Sequence, residues 1–167
     1  MRNSGKVLFT LIAVCIAGCT RSTVNEAVEA SNKGDSHLEL NEYPKAIEAY
    51  TEAIKLDPSK PDLYYNRGVA YFKSEQYGEA IADMQQVIAK DPKLTFAYYY
   101  AGQSYALKGE MDKAVETFSR GIELNTNEPL LFLGRANAYK KLERQAEADA
   151  DFDKVQKLSP QLLNASQ

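Results

Sequence analysis

The small and apolar positions of this 167-residue chain recur with a period of 34 residues from about residue 27 onward. Alanine occupies one column of the repeat without exception: Ala46, Ala80, Ala114 and Ala148. Large apolar residues occupy a second column, four positions later: Tyr50, Met84, Phe118 and Phe152. A repeat of this length predicts supersecondary units that stack on their neighbours and share one continuous core.

Further columns keep the same register. One column holds small residues: Gly34, Gly68, Gly102 and Ala136. Two columns hold rings, except for Ala30 at the start of the second: His37, Tyr71, Tyr105 and Tyr139, then Tyr64, Tyr98 and Phe132. A dipeptide closes each period: Asp57-Pro58, Asp91-Pro92, Asn125-Thr126 and Ser159-Pro160. Together these columns resemble the tetratricopeptide repeat (TPR), in which small and large apolar positions alternate down two antiparallel helices.

The resemblance implies an all-α fold, a right-handed superhelical solenoid of four TPR helix-turn-helix units. The units would span 27–60, 61–94, 95–128 and 129–162, followed by a tail at 163–167. Small residues let two helices approach closely, the rings supply buried apolar area, and the residue before proline disfavours helix. We therefore expect first helices near 27–40, 61–74, 95–108 and 129–142, and second helices near 44–57, 78–91, 112–125 and 145–159.

Residues 1–18 have the layout of a secretory signal rather than of a folded element. Arg2 and Lys6 form a basic start, and an apolar run follows at 7–17. That run is shorter than the ~20 residues that a membrane-spanning helix needs. It ends in Ile16-Ala17-Gly18-Cys19, which resembles the lipobox of bacterial lipoproteins. The resemblance implies cleavage before Cys19 and a diacylglycerol on its sulfur.

Other interpretations of this segment are an uncleaved anchor or an ordinary signal peptide. Cys15 is a competing lipidation site, although the β-branched Val14 before it fits a cleavage pocket poorly. Several acyl chains would hold the protein on a membrane almost permanently, with 19–26 as the tether. Thr20, where an Asp would favour retention on the inner membrane, indicates the outer membrane. We therefore expect a cell-envelope protein that faces the periplasm.

Composition argues against several classes of function. A net charge of −3 without a clustered basic face is atypical of nucleic-acid binding. Cleavage before Cys19 would leave one thiol and hence no intrachain disulfide. The chain has neither a nucleophile elbow nor a glycine-rich phosphate loop. We therefore expect no catalytic residue, no metal and no cofactor.

Two features could indicate a metal site or a catalytic base, but we favour a structural role for both. The single histidine, His37, falls in a ring column, which favours a packed side chain over a ligand or a base. Asp149, Asp151 and Asp153 lie close together, but the turn glycine and distal glutamate of a calcium loop are missing. On a helix Asp149 and Asp153 share a face whereas Asp151 points elsewhere, and we expect a solvated acidic face rather than a calcium site.

In the TPR family, positions two, five, six, nine, twelve and thirteen of each unit face a concave groove lined by the first helices. Transferring these positions predicts a peptide-binding groove made of Tyr65, Asn66, Lys73, Phe96, Tyr99, Tyr100, Gln103, Leu130, Leu133 and Asn137. Chaperone-binding members of the family clamp a carboxylate with residues at fixed groove positions. Only Asn66 matches that pattern here, so we do not expect a C-terminal carboxylate to be bound by this clamp mode.

The run from Phe96 to Tyr100 holds more rings than the core columns require. Tyr98 fills a core column, whereas Phe96, Tyr99 and Tyr100 remain for the groove or for packing between units. Contiguous exposed apolar patches mark interaction sites, and tyrosine is favoured there. We expect a partner peptide on this run, with its acidic end near three lysines: Lys73, Lys140 and Lys141.

The sequence thus favours a membrane-anchored adaptor or scaffold that binds another protein. The layout is loosely similar to the lipoproteins that pilot type IV pilus secretins and to those that tether peptidoglycan hydrolases. The alternative is a structural subunit of an envelope assembly machine that docks through the C-terminal end. There Leu158, Leu162 and Leu163 would leave apolar surface, since solenoids usually end in a polar capping helix. That surface also predicts weak self-association.

Overall fold

The computed structural model describes residues 23–164, which form helices joined by short turns and contain no strand. Helix α1 occupies residues 23–39 of this range. The other helices are α2 (Tyr43–Leu56), α3 (Pro61–Lys73), α4 (Tyr77–Lys90), α5 (Thr95–Leu107), α6 (Met111–Leu124), α7 (Pro129–Lys141), α8 (Gln145–Leu158) and α9 (Gln161–Asn164). No helix in the described range is long and apolar enough to cross a membrane.

The predicted alternation of first and second helices is confirmed, with most boundaries within one residue. Two predicted boundaries differ. Residues 23–26 are already helical, which shortens the predicted tether 19–26 from its C-terminal side, and the short α9 extends into the predicted tail 163–167. The predicted signal peptide 1–18, Cys19 and residues 165–167 lie outside the described range.

Two recurrent turns explain these boundaries. Each first helix is followed by a residue with left-handed backbone, at Asn41 (φ 58°), Glu75 (62°), Gly109 (82°) and Glu143 (59°). At the end of three second helices a side-chain oxygen accepts the amide two residues on: Asp57 from Ser59, Asp91 from Lys93 and Asn125 from Asn127. This Asx turn is common to all three. It explains why Thr126 replaces proline without disturbing the period.

The small-residue column sets the distance between the two helices of a unit. A Cβ added at Gly34 would lie 2.6 Å from the ring of Tyr50, and one at Gly102 would lie 2.6 Å from the ring of Phe118. Phe118 is fully buried, and its ring also faces Gly134 of the next unit. The ring therefore occupies a slot between α5 and α7 that any larger residue would close.

The stack curves towards its first helices. Adjacent first helices contact one another, α3 with α5 and α5 with α7, whereas α4 contacts neither α2 nor α6, and α6 does not contact α8. Elements on the inside of a bend approach more closely than those on the outside. The first helices therefore form the concave wall, as the family resemblance predicted.

Two buried ion pairs join the two helices of a unit, and each arginine also donates a hydrogen bond to the preceding unit. Arg67 donates to both carboxylate oxygens of Asp83 at 2.8 and 2.7 Å, and to Thr51 of the preceding unit at 3.0 Å. The same arrangement recurs 68 residues later: Arg135 donates to Asp151 at 2.7 and 2.8 Å, and to Ser119 at 2.9 Å. Bidentate pairing of this kind satisfies charges that burial would otherwise make costly.

The expectation of a solvated acidic face at residues 149–153 is therefore wrong for its central member. Asp151 is buried and paired with Arg135, whereas Asp149 and Asp153 are exposed. On a helix, neighbours two positions apart point in different directions, so the three aspartates separate into one interior and two surface residues.

The exposed aspartates belong to a polar end surface. Earlier second helices place Ile47 and Val115 in the core at the position of Asp149, and Ile122 at the position of Gln156. Both replacements are exposed. Leu158, Leu162 and Leu163 are each half-buried, and α9 contacts α8. The apolar surface expected from these three leucines is therefore smaller than predicted, and the outer face of α8 is polar, as in a capping helix.

The slot around Phe118 generates a stability prediction. Gly134→Ala places a methyl group 2.5 Å from Cζ of a ring that has no free space, so it should lower the free energy of unfolding by about 1–3 kcal/mol. Gly78→Ala is the matched control, because nothing lies within 4 Å of its added Cβ in the first turn of α4. Chemical denaturation of both variants measures the difference. Equal stabilities would show that the slot does not control the spacing.

Candidate functional site: the concave groove

Rings from three helices meet on the groove side of the first helices, and we call Tyr65, Phe72, Tyr77, Tyr99 and Tyr100 the aromatic cluster. Tyr100 of α5 lies at its centre. Its ring centroid is 5.9 Å from that of Tyr65, 5.3 Å from that of Phe72 and 5.4 Å from that of Tyr99, all edge-to-face. Phe72 also contacts Tyr77 at 5.8 Å. Aromatic pairs prefer this geometry, which fixes α5 against α3.

Part of the predicted groove surface is occupied by this packing. Tyr65 and Tyr100 are half-buried and pack on the core formed by Met84, Val87, Ala97 and Ala101. Burial raises the pKa of Tyr65 to about 12, with a smaller contribution from Tyr100. Burial also raises the pKa of Tyr100, with a contribution from Tyr99. These two rings therefore hold neighbouring units together as well as lining the groove.

Phe96 is the ring that remains free. Its side chain is 42% exposed, whereas Tyr99 and Tyr100 are both half-buried. Position in the repeat does not distinguish the three rings, but Phe96 is the most exposed of them and takes no part in the ring pairs of the aromatic cluster. Leu130, at the same position of the next unit, is half-buried, as is Leu133.

Sequence reasoning missed Phe72. It occupies position twelve of its unit, one of the positions that the family places in the groove, and this signal was available. The equivalent residues in units one and three are Leu38 and Ala106, so the column does not stand out as aromatic.

The N-terminal half of the groove carries an internal hydrogen-bond network. Oδ1 of Asp35 accepts from the Tyr50 hydroxyl at 2.6 Å and from Nδ2 of Asn66 at 3.2 Å. Burial, together with this hydrogen bond to Asp35, raises the pKa of Tyr50. Asn66, the residue that matched the family's carboxylate clamp, already binds a carboxylate of its own chain. This arrangement supports the expectation that the clamp mode is not used.

A pocket of about 540 Å3 lies between α5 and α7, in the C-terminal half of the groove. Its apolar lining includes Ala106, Leu107, Met111 and Ala138, and its polar lining is Gln103, Asn137, Lys140 and Lys141. Nε2 of Gln103 also donates to the Tyr99 hydroxyl at 3.3 Å. The pocket and the aromatic cluster are therefore contiguous, while Lys73 lies exposed at the end of α3.

The described residues offer little for bond-making chemistry. Within 23–164 no group of three or more His, Cys, Asp or Glu side chains is placed to hold a metal ion. His37 is half-buried, and its Nδ1 lies 2.7 Å from Oε2 of Glu42, which also pairs with Lys45 at 2.8 Å. Hydrogen bonding to Lys45 and to His37 lowers the pKa of Glu42. His37 thus has a partner that holds it at a helix turn.

Comparisons with known proteins agree with this geometry. Models of the TPR repeat match residues 34–75, 61–94, 97–128 and 131–162. The chain therefore belongs to the tetratricopeptide repeat family. Members of that family are in general non-catalytic scaffolds that bind other proteins.

Solved structures share this arrangement of helices over most of the chain. A crystal structure of MamA is similar with a TM-score of 0.78 at 24% identity, over 89% of this chain and 86% of MamA. The first TPR of Spaghetti (RPAP3), bound to the HSP90 peptide SRMEEVD, has a TM-score of 0.68 at 25% identity, over 71% of this chain and 94% of that domain. The Sgt2 TPR domain from Aspergillus fumigatus has a TM-score of 0.65 at 28% identity, over 71% of this chain and 80% of that domain.

Packing of the aromatic cluster predicts a loss of stability in alkali. The folded state holds the Tyr65 proton more tightly than the unfolded state, in which the tyrosine pKa is about 10. Its contribution is therefore complete below that pH and is lost as the pH rises towards the folded pKa of about 12. Thermal unfolding of wild type and Tyr65→Phe should show a shallower decline between pH 9.5 and about 11.5 in the variant. Parallel curves would mean that Tyr65 does not couple folding to pH.

Proposed function

We propose that the chain is a lipid-anchored adaptor of the bacterial cell envelope that holds a segment of a partner protein in its concave groove. The observation that carries this proposal is Phe96, a 42% exposed ring beside the aromatic cluster. An exposed ring adjoining half-buried rings offers a partner a large apolar contact at little entropic cost, because its surroundings are already ordered.

The position of the groove supports the same role. The aromatic cluster continues through Gln103 into the pocket between α5 and α7, so one extended segment reaches both. The wall is made of first helices whose spacing is set by buried contacts, and a rigid wall of this kind binds with little rearrangement.

The N-terminal sequence supports the anchor. A diacylglycerol on Cys19 would lie four residues before the first residue of the described helix α1. So short a connection would keep the groove close to the membrane surface. Thr20 favours the outer membrane, and the groove would then recruit its partner from the periplasm.

The groove can be tested by a single substitution. Phe96→Ala removes the exposed ring and leaves the ring pairs of the aromatic cluster in place. Loss of a central aromatic anchor costs about 2 kcal/mol or more, roughly 30-fold in affinity. Crosslinking in native membranes, followed by pull-down of the lipidated protein, should recover far less partner from this variant. Secretin subunits and peptidoglycan hydrolases are the first partners to examine.

Leu124→Ala is the matched control, because Leu124 is 48% exposed on the last turn of a second helix, away from the groove. It should leave recovery unchanged. The double variant Tyr99→Ala/Tyr100→Ala is a harsher test, since loss of Tyr100 also loosens α5 from α3 and should lower the melting temperature. Equal recovery with Phe96→Ala and wild type would refute binding in the groove.

The anchor has its own test. Cys19→Ser should move the protein from the membrane fraction to the soluble fraction and remove the acyl chains from its mass. Cys15→Ser should leave both properties unchanged. The reverse pattern would assign lipidation to Cys15, and membrane retention of both variants without acylation would indicate an uncleaved anchor.

A further inference from the structure

The pocket between α5 and α7 carries charge of one sign. Its charged lining residues are Lys140 and Lys141, both exposed. Among residues 23–164, neither lysine forms an ion pair. Nearby lysines outside the pocket are paired: Lys108 and Lys113 contact Glu110 at 2.8 and 2.6 Å. The two pocket lysines therefore remain available to a ligand.

The opposite end of the groove is acidic in balance. Asp35, Glu39 and Asp62 occupy groove positions in the first two units, against one lysine, Lys73, and Glu39, Asp62 and Lys73 are exposed. A carboxylate on a bound segment would be repelled there and attracted at the fourth unit. The groove thus has an electrical direction that orients an extended ligand.

The uncharged lining of the pocket restricts the ligand further. Leu107 is 55% exposed at the rim, with Ala106, Met111 and Ala138 as the rest of the apolar lining. Gln103 and Asn137 each carry an amide that can donate to and accept from a peptide backbone. An apolar side chain close to carboxylates fits this combination, because the walls bury the side chain while the lysines meet the charge.

We propose that this pocket selects a partner segment with an apolar side chain followed within a few residues by aspartate or glutamate, its acidic end lying over the fourth unit. This assignment rests on the groove function proposed above and names the chemistry of its ligand. Both lysines also lie in the last turn of α7, where a cation offsets the helix dipole. That role affects stability alone, so the test must measure selectivity.

Selection from a library of random dodecapeptides on the detergent-solubilised full chain separates these roles. Wild type should enrich sequences in which Asp or Glu follows an apolar residue. Lys140→Glu/Lys141→Glu should lose that enrichment, favour Lys or Arg instead, and bind the best wild-type peptide at least tenfold more weakly. Lys93→Glu/Lys157→Glu is the matched control, because it makes the same charge change at exposed positions outside the groove and should select as wild type does.

Any other result of the selection contradicts either the acidic-ligand proposal or the groove function. Peptides that enrich without acidic bias, and that bind less well after Phe96→Ala, would overturn this proposal while supporting the groove. No enrichment at all would overturn the groove function itself. Binding to vesicles of anionic phospholipid that is lost only in Lys140→Glu/Lys141→Glu, without peptide enrichment, would reassign the lysines to the membrane surface. A changed melting temperature with unchanged selection would leave them a helix-dipole role only.

Discussion

The first three units of this stack depend on one close contact, in which a large side chain of the second helix lies against the backbone of a glycine in the first. Phe118 shows the constraint most clearly, because its ring is held between Gly102 and Gly134 and therefore sets two spacings at once, one within a unit and one between units. The spacing between units determines how closely α5 and α7 approach, and the side on which the concave wall lies follows from it.

The ends of the stack use the same columns with different residues. Where inner units place a pair of rings against the preceding unit, the first unit has Ala30 and His37, which are smaller or more polar. Where inner units place Ile or Val against the following unit, α8 has Asp149 and Gln156. Smaller or more polar residues in these columns reduce the apolar surface at both ends of the stack. For this reason the groove, rather than an end, is the better candidate for contact with a partner.

The sequence was sufficient for the period, the helix boundaries and the concave wall, because each depends on small and large residues at fixed spacing. It was insufficient for the ion pairs. In the sequence Arg67 and Asp83 could not be distinguished from surface charges, because they lie on different helices and because the pair recurs only at alternate units. The sequence also did not show which rings are exposed to a partner. Position in a unit shows that Tyr100 faces the groove, but not that Phe72 and Tyr65 cover its ring. The availability of Asn66 was hidden in the same way. Its position matches the carboxylate clamp of the family, but its side-chain amide already donates to Asp35.

The ion pairs of Arg67 and Arg135 carry one more consequence. Each arginine also donates a hydrogen bond to the unit before its own, Arg67 to Thr51 and Arg135 to Ser119. Residues 27–94 and 95–162 are therefore two copies of the same pair of units, and the junction between them has apolar and tyrosine contacts instead. Insertion of a further 68-residue copy at that junction would leave both polar ends untouched. An array built in this way can change its length, and with it the length of the segment it grips, in steps of two units.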